Sequence, residues 1–245
     1  MPAINNYQYD VVHKYGRNPS GVLNTETAIT ADGALFFPSA ASTVRIKAGG
    51  SVNDTANGSG AREVTVIGVD GDGLEISEAI ATNGASASAA TTLEFFRIYR
   101  AYVSKSGTYL TSGVGTQGTN QADIVVEDSG GSNDWITITQ YEGQSQHGAF
   151  YIPANKKGGY LVNATTTISG AKEADVLMYV RTNARNTTAP VAARRLQLYL
   201  DGVVGESMYS PKNPQWVGVD CDVWFTYIPT ANGTEASVDF EILMT

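Results

Sequence analysis

Past about residue 34 the chain runs in short alternating or apolar stretches, each closed by Gly, Asn, Asp or Ser, and a period of two predicts strands. The first series comprises Ala34–Phe37, Thr43–Ala48, Glu63–Val69, Leu74–Ala81, Leu93–Ser104, Asp123–Asp128 and Trp135–Gln140. The second, from about Tyr141, comprises Gly148–Ile152, Gly159–Ile168, Asp175–Arg181, Arg194–Leu200, Val203–Tyr209, Cys221–Ile228 and Ser237–Met244. Leu93–Ser104 also has helical spacing at Phe95, Ile98/Tyr99 and Tyr102, but its aromatic and β-branched content favours a strand. Asp70-Gly71-Asp72-Gly73 lies between two alternating runs and predicts a hairpin turn. Near the C-terminus, Val219, Cys221, Val223 and Phe225 are expected to line one strand face and Asp220, Asp222 and Trp224 the other, one face being core and the other edge or interface.

Residues 1–30 show no such period, being interrupted by Asn5-Asn6, Gly16, Pro19-Ser20-Gly21 and Asn24. They read as an irregular N-terminal arm. Its apolar residues Tyr7, Tyr9, Val11, Val12 and Tyr15 are too many for a free tail, so they are expected to dock on this subunit or a neighbour. The expected organisation is an arm over 1–30, a β-rich lobe over 31–140 and a β-sandwich lobe over 141–245. As a class this is all-β, an antiparallel sandwich or jelly roll, built as one large sandwich or two small β-domains.

Composition agrees with the pattern. The chain of 245 residues holds 22 Val, 14 Ile and 25 Thr against 11 Leu, and β-branched side chains favour pleated strands. The net charge of −8, with basic residues clustered no further than Lys156-Lys157 and Arg194-Arg195, argues against nucleic acid as a partner. No apolar window approaches 18 residues and Met1–Asp10 lacks an export-signal pattern, so neither a membrane nor secretion is expected. A single cysteine, Cys221, excludes a disulfide framework within the chain and fits assembly in a reducing cytoplasm.

Candidate chemistry is sparse, and no catalytic, cofactor-binding or metal-binding residue is assigned. Gly113-Val114-Gly115-Thr116-Gln117-Gly118 matches a dinucleotide-binding motif by letter, but it runs on towards a strand and not into a helix, so it reads as a loop. Asp70, Asp72, Glu75, Asn53 and Asp54 could offer oxygens to calcium, yet without EF-hand spacing they read as solvated turns. His13 and His147 are too few and wrongly spaced for a zinc site with Cys221. Asp220 and Asp222 could form a carboxylate pair, but an ordinary strand shows the same pattern. Trp135, Trp216 and Trp224 could stack on sugars; packing in cores and interfaces is the commoner use, and Trp216 and Trp224 join the arm residues as interface candidates.

The stretches HKYGRN (His13–Asn18), Arg45–Ser88, FFRIYRAYV from Phe95 and YIPANKKGGYL from Tyr151 resemble a family of virion structural proteins of tailed bacteriophages, especially phages of marine bacteria. The AGG-x-x-NDTA-x-G-x-GAR segment, Ala48–Arg62, is the most specific part. The resemblance implies a non-enzymatic component assembled in the host bacterial cytoplasm and located in the virion. It would be a capsid decoration (cement) protein contacting the major capsid protein, or a tail- or fibre-associated protein contacting host glycans. A homo-oligomer, taken as a trimer, goes with capsid decoration; a polysaccharide-degrading virion enzyme is the remote alternative.

Overall fold

The computed structural model describes residues 10–245, and among them there are fourteen strands and no helix. They are β1 (Asp10–Gly21), β2 (Thr27–Ala28), β3 (Val44–Ile46), β4 (Ala61–Val69), β5 (Glu75–Ala81), β6 (Arg97–Ser106) and β7 (Ile124–Asp128), followed by β8 (Asp134–Ile138), β9 (Ala149–Ile152), β10 (Gly158–Thr182), β11 (Arg195–Tyr209), β12 (Gln215–Gly218), β13 (Cys221–Pro229) and β14 (Thr234–Met244). All pairings are antiparallel. The protein is an all-β sandwich, with one sheet curled nearly into a barrel.

The two series of strands go to different sheets. β3, β7 and β8 form one three-stranded sheet and β5, β4 and β6 another. Their inward positions, among them Val44, Val64, Val66, Ile98, Val126, Ile136 and Ile138, share one core, as expected when two sheet faces stack. The eight-stranded sheet follows the order β1-β14-β10-β13-β2, with β11 and β12 on β10 and β9 on β13. Its concave side is filled by Leu161, Ile168, Met178, Phe225, Tyr227, Val238, Phe240 and Ile242, all fully buried or nearly so. The rings of Phe225 and Phe240 meet there at 5.0 Å, and burying each contributes roughly 1.5–3 kcal/mol.

Several expectations need correction. Residues 10–21 are not irregular: they form β1, an edge strand paired with β14 from Asp10↔Met244 to Gly21↔Thr234. Ala34–Phe37 is not a strand but a covering loop, placing Leu35 and Phe37 over Leu177, Tyr179 and Trp224. Gly159–Ile168 and Asp175–Arg181 are two parts of the 25-residue β10, which continues through a register shift between Ile168 and Glu173. Arg194–Leu200 and Val203–Tyr209 likewise merge as β11. β13 is buried on both faces, because the 34–37 loop covers the face expected at an edge.

The Asp70–Gly73 hairpin forms as expected between β4 and β5. Asp70 Oδ1 accepts the N–H groups of Asp72 and Leu74, both at 2.9 Å, and Gly73 takes a φ of +75° that a side chain would resist.

Candidate interaction surface

The expected site residues fall into three groups. Tyr7 and Tyr9 lie outside the described residues. Along β1 the side chains alternate: Val12 turns inward against the core, while Val11, His13 and Tyr15 turn outward, and Val11 is 58% exposed. Trp216, on β12, is exposed. Trp224 is buried, stacked on Tyr179 at 5.6 Å and tilted against Phe37 at 5.2 Å, so it is an internal contact and not an interface residue.

Register brings two of the exposed candidates, Val11 and Trp216, onto one line. Val11 pairs with Leu243 of β14, Leu243 with Tyr160 of β10, and Tyr160 with Trp216 of β12. Residues directly opposite in antiparallel strands project to the same face, so Val11, Leu243, Tyr160 and Trp216 form an apolar row across four strands. Tyr160 and Trp216 meet edge to face at 4.8 Å. A neighbouring row, Tyr15, Asp239, Thr165 and Met208, adds two more exposed apolar side chains. Where the 34–37 loop covers the other end of this convex face, nothing among the described residues covers these rows.

A polar row, His13, Glu241 and Asn163, runs between the two. His13 Nε2 lies 2.7 Å from Asp239 Oδ1, Asn163 donates to Glu241 at 2.7 Å, and Arg17 Nε donates to Glu235 at 2.7 Å. Exposed apolar side chains interleaved with hydrogen-bonded polar ones are an ordinary composition for a non-obligate protein interface, which as a whole is about as apolar as the rest of a protein surface. The sequence did not point to Leu243, Tyr160 or Met208, since their place beside Val11 and Trp216 depends on strand register.

The remaining candidate chemistry resolves into structure. Asp222 accepts from Arg97 Nε at 2.9 Å and Nη2 at 3.2 Å, and also from the Arg181 guanidinium, forming a buried triad that ties β6, β10 and β13. Asp220 precedes β13 at a φ of +53°, accepting from the Tyr151 hydroxyl at 2.5 Å and Arg185 at 3.2 Å. Both carboxylates are thus committed to scaffold contacts. Burial, then the charge of Asp220, pushes the Cys221 thiol up to about 11, which leaves it unreactive at neutral pH.

The Ala48–Arg62 segment is a closed loop, and Asp54 is the reason. Its buried carboxylate accepts the N–H groups of Ala61 (2.8 Å), Gln121 (2.9 Å) and Ala122 (3.1 Å). A Cβ on Gly58 would come within 2.0 Å of the Asn53 carbonyl oxygen, and one on Gly60 within 2.1 Å of Asp54 Oδ1. The spacing of this motif therefore serves loop closure. Among known protein families and curated proteins, no match to this chain was found.

Proposed function

We propose that this protein is a structural subunit of a tailed-phage virion, a decoration protein on the head exterior that binds its neighbours through the convex face of the large sheet. The observation carrying this reading is the outward-facing row Val11–Leu243–Tyr160–Trp216, with Leu243 half-buried and the other three exposed, which is built across four strands. Its occupant is a second copy of the chain in a closed homo-oligomer, a trimer where the copies sit around a capsid three-fold axis. The resemblance of Ala48–Arg62 and the other matching stretches to virion structural proteins supports the setting. The acidic balance of −8 keeps free subunits soluble and apart from packaged DNA.

Two measurements test the proposal. Sedimentation of the purified protein gives a discrete oligomer if the row is a contact between copies. Gold-labelled antibody against the protein decorates the heads of intact particles if the setting is right; a monomer at all concentrations, or particles without label on the head, overturns it.

A second reading rests on the Tyr160–Trp216 pair, two exposed aromatic rings inclined at 62° to each other, flat apolar faces of the kind that stack on sugar rings. In that case the protein is tail- or fibre-associated and contacts host glycans. Glycan-array binding lost in Trp216→Ala, together with label on the tail, favours this reading over the first.

A further inference from the structure

Beside the free edge of β1 lies a cavity of about 500 Å³, a size suited to a small organic ligand. Its walls include Val11–Tyr15 of β1, Glu75 of β5, Tyr99 and Arg100 of β6, and Gln144. It lies between the eight-stranded sheet and the β5-β4-β6 sheet, and Val11 and Tyr15, the β1 members of the two apolar rows, stand at its rim.

The cation at its wall is under-satisfied. Lys14 is buried, with 7% of its surface exposed, and an ammonium carries three donors. One goes to the carbonyl oxygen of Tyr99, with Nζ 5.8 Å from the centre of that residue's ring. The acceptor has a structural origin: β6 pairs Arg100 with Ile67 and Ile98 with Gly68, so the register shift leaves Tyr99 opposite no residue of β4. Among the described residues the other two donors of Lys14 meet no protein acceptor, and neither Lys14 nor Arg100 has a carboxylate partner. The Arg100 guanidinium donates to Gln144 Oε1 at 3.4 Å and lies 5.5 Å from the centre of the Tyr102 ring. The single carboxylate in the wall, Glu75, already accepts from the Tyr99 hydroxyl.

The backbone adds donors. The carbonyl of Tyr15 turns away from β14 to accept the His147 N–H at 3.0 Å, so by alternation Val11 and His13 turn their backbone groups the same way, towards the open edge. The Arg100 guanidinium, a Lys14 amine that can take up a proton when an anion arrives, one committed carboxylate and an unpaired strand edge together make a place for negative charge carried on oxygen.

We infer that this cavity is a binding site for an organic carboxylate, which would accept from the Lys14 ammonium and pair with the Arg100 guanidinium. The inference goes beyond the assembly reading and does not rest on it. The carboxylate could belong to a free small acid or to an acidic side chain on an extended peptide lying along β1, and both present the same two oxygens to Lys14.

The experiment titrates the full chain calorimetrically with three probes: sodium succinate, the blocked peptide acetyl-Val-Asp-Val-amide, and its Asn counterpart. Saturable binding of succinate but neither peptide assigns a free acid. Binding of the Asp peptide more tightly than succinate, with the Asn peptide silent, assigns a peptide-borne group. In either case Lys14→Met and, at an exposed position, Arg100→Gln each weaken binding about tenfold or more. At pH 8 binding draws a proton onto Lys14, so the measured heat changes with the ionisation enthalpy of the buffer. Absence of saturable binding by succinate and by the Asp peptide overturns the inference, as does binding that Arg100→Gln and Lys14→Met leave unchanged.

Discussion

Arg97 and Asp222, 125 residues apart in sequence, face each other through two hydrogen bonds with both side chains almost wholly buried. Arg181 reaches the same carboxylate from β10, and the guanidinium carbons of Arg181 and Arg97 lie 4.5 and 5.3 Å from the centre of the Phe37 ring. The triad is the polar fastening between the small sheet that contains β6 and the large sheet that contains β13. Removing one member of a buried ion pair leaves the other charge without compensation. Asp222→Ala is therefore expected to cost about 3–5 kcal/mol, measured as a fall in urea midpoint, whereas Arg97→Met combined with Asp222→Leu should recover part of the loss. A change below about 0.5 kcal/mol for Asp222→Ala would show that the triad is no fastening.

The loop carrying the resemblance gives a second expectation. Asp54→Ala strands three backbone donors in a buried setting, a loss of about 3 kcal/mol. Asp54→Asn keeps one acceptor oxygen and should fall between the variant and the parent. Thermal unfolding of the three proteins gives that order if loop closure is what Asp54 does; equal melting temperatures would return the motif to a functional role.

Stability should also rise with pH, because two buried bases resist protonation. Burial, then the charge of Arg100, lowers Lys14 from 10.5 to about 7; burial, then the charge of Lys14, lowers His147 from 6.5 to about 3. Between pH 10.5 and 7 the unfolded chain holds a proton on Lys14 that the folded chain does not, and between 6.5 and 3 the same is true of His147. In each window the unfolded state gains on acidification, so stability increases with pH by up to about 1.4 kcal/mol per unit. Urea midpoints at pH 5, 7 and 9 should increase in that order. Lys14→Met flattens the rise between 7 and 9, and His147→Gln flattens the acid limb; a flat profile in the parent protein removes the argument.

Lys14 also shows why the sequence concealed β1. Its inward positions are Val12, Lys14, Gly16 and Asn18, a polar series that breaks the apolar alternation by which a strand is recognised. The contacts that hold these polar members come from far along the chain or across a turn: Lys14 donates to the Tyr99 carbonyl, and Asn18 donates to the Ala28 carbonyl at 2.9 Å. The run Leu35–Phe37 misled in the opposite sense, since an apolar loop covering a sheet has the composition of a strand. Where one face met a core and the other met water, as in β4 and β5, the period of two was enough. The apolar row was half legible: Val11 and Trp216 stand out as exposed apolar residues, but Leu243 and Tyr160 join them only through long-range register.

That row supplies the last expectation. Val11, Tyr160 and Trp216 are on the convex face, so their substitution removes little from the core, and folding stability should change by no more than about 0.5 kcal/mol. Association is another matter. A charge in the contact has to be desolvated without a partner, and loss of the indole removes a large buried aromatic anchor, so Val11→Asp and Trp216→Ser should each weaken self-association about tenfold or more. Sedimentation equilibrium would show the oligomer dissociating while the unfolding midpoint stays in place. An oligomer that survives both changes places the contact elsewhere on the molecule. Loss of folding in Val11→Asp alone would mean that the outward side of β1 is covered within the subunit, and Trp216→Ser, three strands away, would then decide whether the row is a surface between copies.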